Sequence, residues 1–115
     1  MSGVSVSAST AEHYTWGDAC DGWFLLRTPE LHIIEERMPA GTAERPHHHA
    51  RARQFFYVLE GELTMLLAGG EVLLRPREGL EIAPGDLHQA VNRGPATARF
   101  LVVSQPPSHA DRIDH

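Results

Sequence analysis

Gly41-Thr42-Ala43-Glu44-Arg45-Pro46-His47-His48-His49-Ala50-Arg51-Ala52-Arg53-Gln54-Phe55-Phe56-Tyr57-Val58-Leu59-Glu60-Gly61 is the stretch that decides how this chain folds. Alternate side chains of a β-strand share a face, so His47 and His49 point one way and His48 the other. Pro46 suits the first position of a strand and biases Arg45 toward an extended conformation, so the histidines enter in β geometry. Beyond a short turn through Ala50 to Arg53, alternation puts Gln54, Phe56 and Val58 on one face and Phe55, Tyr57 and Leu59 on the other. Two imidazoles on one face can meet at a metal ion.

Outward from this stretch the same grammar continues. Short apolar or alternating runs at Trp23 to Arg27, Leu31 to Met38, Leu63 to Ala68, Glu71 to Arg75, Leu80 to Ala83, His88 to Val91 and Thr97 to Val103 predict successive strands. Pro46 to His49 and Gln54 to Leu59 complete the set, and no helical stripe interrupts it. Glu60-Gly61 and Gly69-Gly70 stand at hairpin spacing, and Pro84-Gly85 is the natural pair for the centre of a type II turn. Many short strands at regular spacing predict an all-β sandwich or barrel, whose closure removes exposed edges. Residues 23–104 are expected to form it, with 1–22 an N-terminal arm or edge strand and 105–115 a C-terminal tail. For the tail, a disordered end is the expectation, with folding over the barrel mouth as the alternative.

Composition narrows the function classes. The chain has 115 residues, 42% hydrophobic and 22% charged, which suits a single globular domain. Its net charge is −5 and every cationic side chain is arginine, so nucleic acid is not an expected partner. Without lysine, Schiff-base chemistry and a phosphate-loop lysine are both excluded. A lone Cys20 allows no intrachain disulfide and suits a reducing cytoplasm. The start of the chain lacks the pattern of a secretory signal, and no segment is long and apolar enough for a membrane helix.

His88 follows the Pro84-Gly85 turn, with Asn92 four residues on and on the same strand face. Taken with the opening stretch, these residues resemble the cupins, whose two motifs appear in order. Gly41, His47, His49, Gln54 and Gly61 stand at the intervals of the first motif; Pro84, Gly85, His88 and Asn92 stand at those of the second. The resemblance implies a single-domain antiparallel jelly-roll barrel holding one divalent metal ion, with His47, His49 and His88 as ligands. Gln54 replaces the acid of the first motif, and the resemblance carries the fourth-ligand role to it, with a hydrogen bond to a ligand histidine as the alternative. Zinc, nickel, iron, manganese, cobalt and copper all suit such donors.

A set of neutral donors leaves the ion its full double charge, which strengthens it as a Lewis acid and disfavours its oxidation. Redox-neutral isomerisation or ring opening of a sugar acid or keto acid is therefore the leading expectation. Cupins with glutamine at this place include enzymes that linearise unsaturated uronates. A dioxygenase and a non-catalytic binding or sensor module are the alternatives. Met38, Phe56 and Phe100 are candidates to line the interior beside the metal and touch substrate, or to serve as plain core. Arg37, Arg75 and Arg99 can each take a carboxylate, but nothing singles one out. Asn92 is expected to pin a turn, and His13, His32, His48, His109 and His115 to lie at the surface or the ends. Cys20 sits among acids that raise its pKa. No general base is identifiable. Resemblance also implies a homodimer, to which the segment before Trp23 can contribute.

Overall fold

The computed structural model describes residues 3–115. Its strands are β1 (Glu12–Trp16), β2 (Cys20–Arg27), β3 (His32–Met38), β4 (His47–His49), β5 (Arg53–Glu60), β6 (Leu63–Leu67), β7 (Gly70–Leu74), β8 (Gly79–Ile82), β9 (His88–Val91), β10 (Ala98–Gln105) and β11 (Arg112–Asp114). They form two antiparallel sheets, one in the order β1-β2-β3-β10-β5-β8 and the other in the order β11-β4-β9-β6-β7. From β3 to β6 and again from β7 to β11 the chain passes from one sheet to the other at each connection, which is jelly-roll winding. No helix among the described residues is long and apolar enough to cross a membrane.

Alternation explains which residues fill the space between the sheets. On β5, Gln54, Phe56 and Val58 are buried while Arg53, Phe55 and Leu59 are exposed. On β10 the inward set is Ala98, Phe100, Val102 and Ser104. Registers align Gln54 with Ser104 and Ile82, Phe56 with Val102 and Leu80, and Val58 with Phe100. The interior is therefore graded, with Gln54 and Ser104 at one end and an apolar core of Met38, Val58, Leu63, Met65 and Phe100 at the other. Burying each of those larger side chains stabilises the fold by about 1.5–3 kcal/mol.

The turns agree with the sequence reading in part. Ala83-Pro84-Gly85-Asp86 closes with Asp86 N donating to Ala83 O at 3.1 Å and Gly85 at φ +84°, as a type II turn requires. Leu67 pairs with Gly70, so β6 and β7 make the hairpin expected there. Glu60-Gly61 does not make a hairpin: β5 and β6 lie in different sheets, and Gly61 turns the chain across between them. Its φ is +71° and a Cβ there would lie 2.5 Å from the Thr97 carbonyl oxygen, so both conformation and space require glycine.

Both ends carry strands. Within the N-terminal segment, β1 runs along β2 from Glu12↔Phe24 to Trp16↔Cys20, as the edge of the larger sheet. The tail is not a disordered end. Its strand β11 pairs with β4 (Arg112↔His49, Asp114↔His47), and His115 N donates to Pro46 O at 2.9 Å. That pairing gives the short strand β4, which carries two of the histidines, a neighbour on each side.

Candidate metal centre

Three imidazoles converge. His47 and His49 point inward from β4, and His88 opens β9 directly opposite His47. Ring centroids lie 4.3 Å apart for His47 and His88, 4.9 Å for His47 and His49, and 5.8 Å for His49 and His88. One ligand atom from each falls within 4.8 Å of the others, and among the described residues this is the one cluster of histidine, cysteine or acid side chains placed to hold a metal ion.

Each ring is held through Nδ1. His47 Nδ1 donates to Arg45 O at 2.8 Å, His88 Nδ1 to Asp86 O at 2.9 Å, and His49 Nδ1 to the Asp111 carboxylate at 3.0 Å. Fixing the proton on Nδ1 leaves each Nε2 as a lone-pair donor, the form that ligates a cation. Burial lowers the pKa of all three, His47 to about 3, so the rings stay neutral at physiological pH.

Gln54 lines the same cavity as His47 and His49. Its Nε2 donates to Ser104 Oγ at 3.0 Å and to Ser108 Oγ at 3.3 Å. Its Oε1 is buried without a partner, as is His88 Nε2. Unpaired buried polar atoms are rare and call for an explanation. Two of them belong to candidate ligands, and a cation bound to both would satisfy them, so the residues present suit the group the motifs imply.

Beside the candidate ligands lies a cavity of about 70 Å³ whose lining includes His47, His49, Gln54, Phe56, Ile34 and Val102. At roughly 10–15 Å³ per water, it has room for a few waters or a small molecule. Phe56 stands 6.1 Å from the His88 ring. Met38 and Phe100 are fully buried deeper in the core, with Phe100 packed 6.0 Å behind Phe56. The structure thus brings Phe56 to the cavity and leaves the other two behind it.

Four charged residues gather here, two of them, Asp111 and Arg112, from the tail whose folding over the barrel mouth was the alternative expectation. Glu36 lines the cavity from β3, and its Oε2 accepts the Tyr14 hydroxyl at 3.0 Å. That contact is possible because residue 22 is glycine: a Cβ there would lie 2.2 Å from the Tyr14 ring. Burial raises the Glu36 carboxyl to about 7, partly offset by the Tyr14 bond, and raises Glu44 to about 8, partly offset by the Ala90 amide. Burial also raises Tyr14, with the Glu36 charge adding to it, so the phenol remains a donor. Arg112 and Asp111 come from the tail, Arg112 lining the cavity and Asp111 behind His49. Period-two alternation from Ile34 to Met38 places Glu36 on the inward face, a signal available in the sequence; the tail residues had none.

Other side chains fall as follows. Asn92 is fully buried and pins its turn: Nδ2 donates to Met38 O and Ala96 O at 2.9 Å, and Oδ1 accepts Gly94 N at 3.0 Å. Arg37 pairs with Asp21 and Arg99 with Glu35, away from the cavity. Cys20 is buried, and burial foremost, then nearby acids, raises its thiol. His32 is buried rather than at the surface, and His109 lines the cavity, packed near His32, Phe24 and Tyr14.

Comparison with known proteins bears on this geometry. Tetracenomycin polyketide synthase protein TcmJ of Streptomyces glaucescens is 29% identical over 75 residues, 65% of this chain and 50% of that protein. The chain thus spans half the length of that curated relative. Polyketide cyclase RemF from Streptomyces resistomycificus superposes with a TM-score of 0.82 at 21% identity, over 95% of this chain and 82% of the other. A sugar phosphate isomerase of the cupin superfamily from Silicibacter pomeroyi does so with a TM-score of 0.76 at 23% identity, over 90% and 76%. These structural likenesses establish the fold. A family model described as a cupin domain matches residues 34–104, the span that carries both histidine motifs and most of the cavity lining, and the chain belongs to that family.

Proposed function

We propose that this cupin is a metal-dependent enzyme that rearranges a small oxygen-rich molecule, a sugar acid or keto acid, by redox-neutral isomerisation or ring opening. One divalent cation is held by His47, His49, His88 and the Gln54 carbonyl. The observation that carries the reading is a cavity shared by His47, His49, Gln54 and the carboxyl of Glu36, which burial pushes up to about 7. A cation held there would supply Lewis-acid polarisation of a substrate carbonyl, which makes the C–H next to it acidic. Glu36 takes up that proton and returns it to a neighbouring carbon or oxygen, with the Tyr14 hydroxyl steadying the carboxylate as it forms. Phe56, Ile34 and Val102 form the apolar wall that orients the substrate and excludes water. Two proteins of the same fold are named a polyketide cyclase and a sugar phosphate isomerase, and the isomerase name is in keeping with the class of chemistry proposed.

The test is to incubate metal-loaded protein in D₂O with unsaturated uronates, keto sugars and short β-polyketones, and to follow product and deuterium incorporation next to the carbonyl. Exchange or turnover with at least one class is expected, lost in Glu36→Gln. Silence with every class, or oxygen uptake by the iron(II) form, would overturn the reading in favour of a binding module or a dioxygenase.

The proposed assembly is a homodimer through the outer face of the larger sheet. There Leu26 and Phe55 are exposed and flank the half-buried Ile33 and Val103 across four adjacent strands. Sedimentation at twice the 12.7 kDa chain mass is the expected result. The unpaired Cys20 fits a reducing cytoplasm as the place of action.

A further inference from the structure

The three histidines are not anchored alike. His47 and His88 each donate Nδ1–H to a backbone carbonyl two residues earlier, so their orientation is built into their own strands. His49 depends on Asp111, 62 positions along the chain. The same carboxylate accepts the amides of Arg51 at 2.8 Å and Ala52 at 2.9 Å, so it also clamps the turn that leads from His49 to Gln54. Ser108, in the same segment, accepts from Gln54 Nε2, and Arg112 Nη2 reaches at 3.4 Å the Arg45 carbonyl that holds His47.

We infer that the C-terminal segment 108–115 is the outer shell of the metal centre, with Asp111 as its positioning residue, and that metal binding and docking of this segment are one coupled equilibrium. This rests on the reading of His47, His49, His88 and Gln54 as a metal site. Physically, a carboxylate on Nδ1–H fixes the tautomer and the ring plane of His49 and makes Nε2 a better donor. A docked segment therefore presents a site already oriented, while a released one leaves His49 free to rotate and Gln54 short of one partner. Coupling of this kind is reciprocal: whatever factor docking contributes to metal affinity, the metal returns to docking. Ser108, His109 and Arg112 also line the cavity, so the metal-loaded, docked form is the closed one.

The experiment uses the full chain stripped with chelator and zinc(II) alone as the probe. Zinc affinity is measured by competition with a chromophoric chelator, and amide hydrogen exchange is followed with and without zinc. Wild type is expected to bind one zinc, which slows exchange at Arg51, Ala52 and the β11 ladder. Asp111→Ala should keep one zinc per chain but bind it about 10–100-fold more weakly, and zinc should no longer protect residues 51 and 52. Deletion of 112–115 keeps Asp111 and removes no core residue, and it should weaken zinc binding by a smaller factor. Asp111→Asn, which retains a carbonyl acceptor, should fall between Asp111→Ala and wild type. Unchanged zinc affinity in both Asp111→Ala and the deletion, or zinc-independent exchange at 51, 52 and 112–114 in wild type, overturns the coupling. If His88→Ala abolishes zinc uptake in that same case, the site reading survives and only the coupling fails; if wild type takes up no zinc, both fall.

Discussion

Replacing Glu36 by glutamine should stabilise the metal-free protein at neutral and alkaline pH and leave it unchanged in acid. The carboxyl titrates at about 7 in the fold against an ordinary 4.5, chiefly because burial penalises the charge. A carboxyl raised in the fold is neutral in both states below pH 4.5, and there it costs nothing. Between 4.5 and 7 the unfolded chain releases the proton while the folded one keeps it, so stability declines as pH rises. Above 7 the charge is forced into the cavity wall and the loss levels off at about 3 kcal/mol. A glutamine side chain at this position keeps the shape and an acceptor for Tyr14 but carries no charge. In chelator-treated protein the variant should therefore melt level with wild type at about pH 4.5 and roughly 10 °C above it at about pH 8.5. Glu44 contributes the same trend to both proteins, slightly less in the variant because the Glu36 charge adds to its own elevation. Zinc should narrow the gap at the alkaline end, since a nearby cation favours the ionised carboxylate. A melting difference that stays flat from the acid to the alkaline end would refute the assignment of Glu36 as a carboxyl held near neutrality, and with it the proposed proton carrier.

Two further outcomes follow from the scaffold. Asn92→Ala removes three hydrogen bonds from a fully buried residue and leaves Met38 O, Ala96 O and Gly94 N without that partner, so urea unfolding should show a loss of about 2–4 kcal/mol. Gly61→Ala meets both a positive φ and the Thr97 carbonyl at 2.5 Å, and a loss of at least about 2 kcal/mol is expected by the same measurement, whereas Gly69→Ala, with open space around it, should be nearly neutral.

The fold was legible because a two-residue period speaks twice in a jelly roll, once for strand and once for face. On β5 it named Gln54, Phe56 and Val58 as inward, and they are buried. On β4 it paired His47 with His49, and the fixed spacing of the second motif supplied His88 across the sheet. Alternation says which face a residue takes but not how far along the barrel axis it lies. For that reason Met38 and Phe100 read the same as Phe56, although both are fully buried and only Phe56 lines the cavity. Glu36 was within reach of the same rule, as an acid at an inward position between Ile34 and Met38. The tail was not. Asp111 meets His49, and Arg112 meets the Arg45 carbonyl, across 62 and 67 positions, through a strand of three residues with no apolar period to announce it. Gly61 was read as a hairpin because glycine reports a conformation, and only the pairing of the flanking strands tells whether they turn back on each other.

The claim on which the functional account depends is that His47, His49, His88 and Gln54 share one cation. Calorimetric titration of chelator-stripped protein with zinc(II), wild type beside His88→Ala, tests it most directly. One tight site per chain is expected in wild type, weakened at least about a hundredfold by losing a ligand, while His13→Ala, which removes an exposed contact to Asp21 outside both the site and the tail, leaves it intact. Equal affinity and stoichiometry in wild type and His88→Ala would contradict the account.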